Sequence, residues 1–231
     1  SNMKSAHSRI VVALLALGAL TLAVPTSARA QTPAVDPAAM QALKRMTDYV
    51  GSLKQFTAHT QVTVEDQLES GQRIDLDVSA SVTVKRPNKL RTERKGDLVS
   101  QTFYYDGRTL VLYDPTKKVY ATEPAPATLP GLLDYAQQTL GLIVPASDMV
   151  YPNAFELLTQ GVTVAKVVGK SAVDGVKSVH LAFRRPGVDF QVWVADGGPP
   201  RPVKLVITDP STPAALSITT VIRDFKAPSE M

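Results

Sequence analysis

The chain has 231 residues, with 25 Lys and Arg against 21 Asp and Glu, and no Cys. The missing cysteines exclude disulfides, thiolate metal sites and acylation on a cysteine behind the leader. The net charge of +4 belongs largely to that leader, because Lys4, Arg9 and Arg29 leave with it and 22 basic against 21 acidic residues remain. The remaining charges are mixed, without the clustered basic surface of a nucleic-acid binder.

Ser1-Asn2 ahead of Met3 reads as an expression scar. Lys4 and Arg9 form a basic n-region, Ile10 to Val24 an apolar h-region, and Ala28-Arg29-Ala30 a small-x-small cleavage pattern. Residues 1–30 are therefore expected to be scar and signal peptide, and the mature chain to begin at Gln31 in the periplasm. The h-region is shorter than the about 20 apolar residues of a membrane span, and the alternative is an uncleaved signal anchor. About 200 residues can bury roughly 70% of their surface as one domain. Residues 31–231 are thus expected to form a single soluble domain.

Asp36-Pro37 is a helix start, an N-cap followed by Pro at the first helical position. Met40, Leu43, Met46, Val50 and Leu53 then recur at helical spacing, which predicts a helix over 37–53. Beyond it the period changes to two. Phe56, Ala58, Thr60, Val62 and Val64 alternate with polar partners. So do Ile74, Leu76, Val78, Ala80, Val82 and Val84, the clearest strand in the chain. Further strands are predicted at 89–95, through the stretch YYDGRTLVLYDP (104–115), and at 119–123. Within that stretch Asp106-Gly107 is a hairpin signal. A two-residue turn there would pair Tyr105 with Arg108. Phe103, Leu110 and Leu112 would share one face, and Tyr104, Val111 and Tyr113 the other. Both faces are apolar or aromatic, whereas an antiparallel hairpin commonly keeps one face polar, so each needs a cover.

The alternation stops between about 124 and 161. A Pro-rich joint leads to Leu129, Leu132, Leu133, Ala136 and Leu140 at helical spacing, and Asn153 to Gln160 forms a second short helix. Prolines 124, 126, 130, 145 and 152 cut this region into pieces that can move. Strands resume at 162–168, 176–185, 188–195, 203–208 and 214–226. The plan is α+β: an unclosed antiparallel β half-barrel of 10–11 strands, with an N-terminal helix and a helical lid insert at about 124–161. The helices are the only cover for the apolar concave side. They either fill it or leave a hydrophobic cavity.

Catalytic motifs are nearly absent. His59 and His180 lie on alternating strands and read as solvated strand residues. No HExxH, cysteine set or Gly-x-Ser-x-Gly elbow occurs, and no cofactor, metal or catalytic residue is expected. Gly169-Lys170-Ser171 mimics the end of a phosphate loop, but Val164 stands where its first glycine is required. Arg86 is out of place. It continues the inward phase of Ile74 to Val84, and a guanidinium facing an apolar interior needs acceptors. Either the strand has ended and Arg86 points to water, or it is a latch donating to backbone carbonyls of the 128–160 segment.

VKRPNKLRTER (84–94) followed by YDGRTLVLYDP (105–115) resembles the bacterial periplasmic lipoprotein carrier family LolA, of the LolA/LolB-like superfamily. The order helix, sheet, helical insert, sheet resembles it too. The whole chain is similar, still more closely, to a family of predicted exported bacterial proteins of unknown function in the same superfamily. The resemblance implies a half-barrel capped by helices, a cavity for acyl chains and a lid that opens to admit them. It implies that Arg86 holds the lid closed and that Leu90 lines the cavity beside it. Phe103, Leu110 and Leu112 would add to the wall, and Leu132, Leu133 and Leu140 would belong to the lid. The implied function is a carrier or chaperone, expected as a monomer, for the acyl chains of a lipid or acylated protein, with transfer partners at the inner or outer membrane. The alternative is a lipid-responsive envelope sensor or protein-interaction module. For any one of these leucines, ordinary core packing is the competing role.

Overall fold

The computed structural model describes residues 34–228 except Leu98, Ile143 and Pro145. The leader expected at 1–30 lies outside the described residues. Helix α1 (Pro37–Ser52) is followed by six strands: β1 (Gln55–Gln67), β2 (Arg73–Lys85), β3 (Lys89–Gly96), β4 (Ser100–Tyr105), β5 (Thr109–Asp114) and β6 (Val119–Pro124). The insert holds α2 (Leu129–Gln138), a 3-10 turn (Ser147–Val150) and α3 (Ala154–Thr159). Five strands close the chain: β7 (Val164–Val173), β8 (Val176–Arg185), β9 (Val188–Ala195), β10 (Pro202–Thr208) and β11 (Ser217–Lys226).

All eleven strands form one sheet in the order β6-β5-β4-β3-β2-β1-β11-β10-β9-β8-β7. Every pairing is antiparallel. The sheet is two meanders joined where β1 meets β11, and β6 and β7 are its outermost strands; β7 is bridged in parallel by Val35, with Asp36 N donating to Ala165 O and Ala165 N to Ala34 O at 2.9 Å. The architecture is the α+β open half-barrel that the alternation predicts.

Period-two alternation puts Phe56, Ala58, Val84, Leu181, Val192 and Leu205 on one face, where they are buried. Helix α1 lies on that face. Asp36 caps its start by accepting from Ala38 N at 2.8 Å, and Ala39, Leu43, Met46 and Val50 are its buried stripe. Phe56 and Phe225 stack there at 5.3 Å, and Phe183 and Phe190 at 4.8 Å. The outer face is largely polar. His180 sits on it, half-buried rather than solvated, stacked on Trp193 at 3.9 Å and hydrogen-bonded to Gln191 at 2.9 Å.

The β4–β5 register differs from a two-residue turn. Tyr105 pairs with Leu110 and Phe103 with Leu112. The cause is Asp106, whose carboxylate accepts from Arg108 N at 2.9 Å and Thr109 N at 2.8 Å. Two more residues are thereby held in the loop. Because the shift is two residues and not one, side chains keep their faces. Gly107 has φ +96°, and a Cβ on it would lie 2.3 Å from Asn88 Nδ2. The VKRPN segment and the Asp-Gly turn are thus packed against each other.

Candidate functional site

Cross-strand pairing assembles the concave wall in rows. One row runs Phe56, Val84, Leu90, Tyr105, Leu110 across β1 to β5, and the next runs Ala58, Val82, Thr92, Phe103, Leu112. Four residues expected as wall therefore lie together. Phe103 and Leu110 are buried, and Leu90 and Leu112 are half-buried against the same core. From the insert, Leu129 and Leu132 enter that core. Leu133 is also buried. Leu140 does not join them. Helix α2 ends at Gln138, two residues before it, and Leu140 is 37% exposed. Helical spacing alone carried Leu140 into the stripe, but the helix it presumes stops short.

Arg86 directly follows β2, and its backbone N donates to Lys54 O at 2.7 Å. Its side chain is half-buried. Nε donates to Leu53 O at 3.0 Å, Nη1 to Val150 O at 2.9 Å and Nη2 to Val50 O at 3.4 Å. Val50 lies in the last turn of α1 and Leu53 is its C-cap, where the helix end carries partial negative charge. Val150 ends the 3-10 turn of the insert. Burial pulls the Arg86 pKa down, yet a guanidinium stays charged at any physiological pH. One cation thus ties α1, the β2 end and the insert together.

The same insert is fastened by residues that sequence reasoning did not single out. Arg185 Nη1 donates to Leu157 O of α3 at 2.8 Å. The signal was present: Arg185 continues the inward phase of Val179, Leu181 and Phe183 and precedes Pro186, as Arg86 precedes Pro87. Asn88 Nδ2 donates to Ala127 O at 3.3 Å, and the Tyr105 hydroxyl to Pro126 O. Tyr135 donates to Glu123 at 2.6 Å, Tyr151 to Asp134 at 2.7 Å and Gln137 to Ser147 at 2.8 Å. Burial and the bond to Asp134 push the Tyr151 phenol well above its usual value. Asp148 is raised by burial, against the pull of Arg185.

Among the described residues, no layer covers the outer face of the hairpin. Tyr104 is 41% exposed, with the Arg91 guanidinium 5.5 Å from its ring centroid. A surface groove of about 530 Å³ bordered by Lys85, Arg91, Tyr104 and Val111 runs there. A second groove, of about 470 Å³, lies beside His59, Ser79, Ser81 and Glu93. Among the described residues, no group of three or more His, Asp or Glu could hold a metal ion, and no helix is long and apolar enough to cross a membrane.

Comparison with solved structures finds LprF from Mycobacterium bovis at a TM-score of 0.53 and 16% identity, over 84% of this chain and 96% of that one. The likeness shows a shared fold. The lipoprotein LppX from Mycobacterium tuberculosis follows at 0.49 and 15% identity, over 84% and 97%. A LolA superfamily protein from Nitrosomonas europaea is found at 0.40 and 12% identity, over 82% and 93%. No curated protein matches the chain. A family model described as predicted periplasmic protein (DUF2092) matches residues 39–231, in keeping with the periplasmic location expected from the sequence. The chain belongs to the DUF2092 family of predicted periplasmic proteins.

Proposed function

We propose that the protein is a periplasmic carrier that takes the acyl chains of a lipid or lipoprotein onto its concave face, beneath a movable lid formed by residues 125–163. One observation carries the reading. The apolar concave face is covered by α1 together with the three short helical pieces of the insert, and the insert is held to the sheet by side-chain donors on backbone carbonyls. Arg86 and Arg185 are the charged members of that set. Such contacts break and reform without disturbing strand pairing. Opening would expose Leu90, Phe103, Leu110 and Leu112 of the two adjoining rows, with Leu132 and Leu133 lining the lid. Each buried CH₂ contributes about 0.8 kcal/mol, so one or two acyl chains would suffice for a stable complex. Direction would follow from the difference in ligand affinity between open and closed states.

The test is mass spectrometry of an organic extract of protein purified without detergent from a bacterial periplasm. A stoichiometric acyl species supports the carrier and names its cargo. An empty extract, together with no uptake of added fatty acid or phospholipid, overturns it.

A further inference from the structure

The concave face holds a third arginine, Arg94, in a setting opposite to that of Arg86 and Arg185. Leu90, Thr92 and Arg94 alternate on β3 with the exposed Lys89, Arg91, Glu93 and Lys95. The register sets Arg94 between Ala80 of β2 and Gln101 of β4. The row continues through Thr60 to the buried Ile222. Arg94 is half-buried, and burial lowers its pKa with no compensating charge.

Arg86 meets three carbonyls. Among the described residues, the Arg94 side chain takes part in no hydrogen bond, ion pair or ring contact. Its chain neighbour Glu93 faces outward and is taken by Arg91. Asp114, the next carboxylate in the inward phase of β5, accepts from Thr116 N at 2.9 Å and Lys117 N at 3.0 Å. Directly across from Arg94, the Gln101 Oε1 atom is buried without a hydrogen-bond partner. A cation and a carboxamide left unsatisfied side by side on an apolar face are costly by themselves. Both costs fall if a ligand brings an anion to the guanidinium, with the carboxamide, whose O and N ends can exchange, as its second contact.

We propose that Arg94 and Gln101 form the recognition site for an anionic headgroup, carboxylate or phosphate, of the acyl ligand. This rests on the carrier reading for the acyl chain but makes a separate claim about its polar end. Arg94 lies one row beyond Thr92, Phe103 and Leu112, about 7 Å along the strands. A chain lying on the wall would thus have its headgroup at Arg94 and its tail toward Arg86.

The experiment is calorimetric titration of the full mature chain with three probes: dioctanoylglycerol, dioctanoylphosphatidylglycerol and decanoate. The wild type is expected to bind an anionic probe about tenfold or more tighter than dioctanoylglycerol. The glycerophospholipid and fatty-acid arms tell phosphate from carboxylate. Arg94→Gln should abolish that preference while leaving dioctanoylglycerol affinity within about twofold, and Arg94→Lys should keep most of it. A thermal melt verifies that both variants fold. Equal binding of neutral and anionic probes by the wild type, or an anionic preference that survives Arg94→Gln, overturns the headgroup site and leaves the carrier standing. Binding of no probe at all overturns both.

Discussion

Arg86→Leu separates a lid contact from ordinary core packing. The substitution removes donors from Leu53 O at 3.0 Å and Val150 O at 2.9 Å. The third contact, at 3.4 Å to Val50 O, is long, and that carbonyl also accepts from Leu53 N, so its loss adds little. A hydrogen bond from a charged donor contributes about 1.5–3 kcal/mol when buried. Arg86 is half-buried, so the lower end applies, about 3 kcal/mol for the two good bonds. Leucine returns about 1 kcal/mol through apolar contact. Global stability should therefore fall by about 1–3 kcal/mol, measured by urea denaturation with an unchanged slope. Of the three Arg86 bonds, the one to Val150 is the one that reaches the insert. Its share, about 1.4 kcal/mol, should speed amide exchange around Met149 about tenfold, while β1 and β11 amides follow only the global change. Release of a bound fatty acid should accelerate in step. If Met149 exchange and fatty-acid release both match the wild type, Arg86 is not a latch, whatever the stability shows.

Arg185→Leu should act on α3 as Arg86→Leu acts on the 3-10 turn, and the double variant should release fatty acid faster than either single one. Strict additivity would mean that the two contacts open independently. Asp36→Ala removes the α1 cap and should cost about 1 kcal/mol in urea denaturation. Leu43→Ala, at a position with no exposure, should cost about 2–5 kcal/mol. Leu140→Ala should stay within about 0.5 kcal/mol of wild type. Asp148 has its carboxyl pKa raised by burial. The folded state then holds a proton the unfolded state has lost, and stability falls as pH rises from the ordinary carboxylate value through the raised one. Asp148→Asn should therefore be more stable than wild type at neutral pH and equal to it below the ordinary carboxylate range. The same urea titration at the two pH values checks the sign.

Where one physical rule governs, the sequence is readable. Alternation and turn signals together pointed to the 10–11 strands of the sheet, because a sheet with one buried face leaves little freedom of phase. The alternation extends to Arg86, which keeps that phase one step past Lys85. The places that eluded reading are those where a side chain intervenes in the backbone. Asp106 lengthens the hairpin loop by two residues. β7 runs on to Val173 through an irregularity between Val167 and Gly169, whereas alternation ended it at 168. The turn at Ser147–Val150 has no apolar period to betray it. Arg94 was hidden for another reason: in KLRTER it stands among charged residues, and only the register across from Gln101 separates it from its solvated neighbours.

Topology bears on how the lid can act. The insert leaves from β6 and returns at β7, and these are the two outermost strands of the sheet. The chain from 125 to 163 therefore runs from one rim of the half-barrel to the other. The two meanders meet at β1 and β11, paired from Thr57–Lys226 to Val64–Ile218. Any flexing of the sheet about that central ladder moves the rims and, with them, both ends of the insert. Arg86 sits in the first meander and Arg185 in the second, and each holds one piece of the insert, at Val150 and at Leu157. A ligand wedged on the concave face that spreads the rims would pull these two contacts in opposite directions. Loading and lid release would then be one motion, because the covering segment is tied at both edges of the surface it covers.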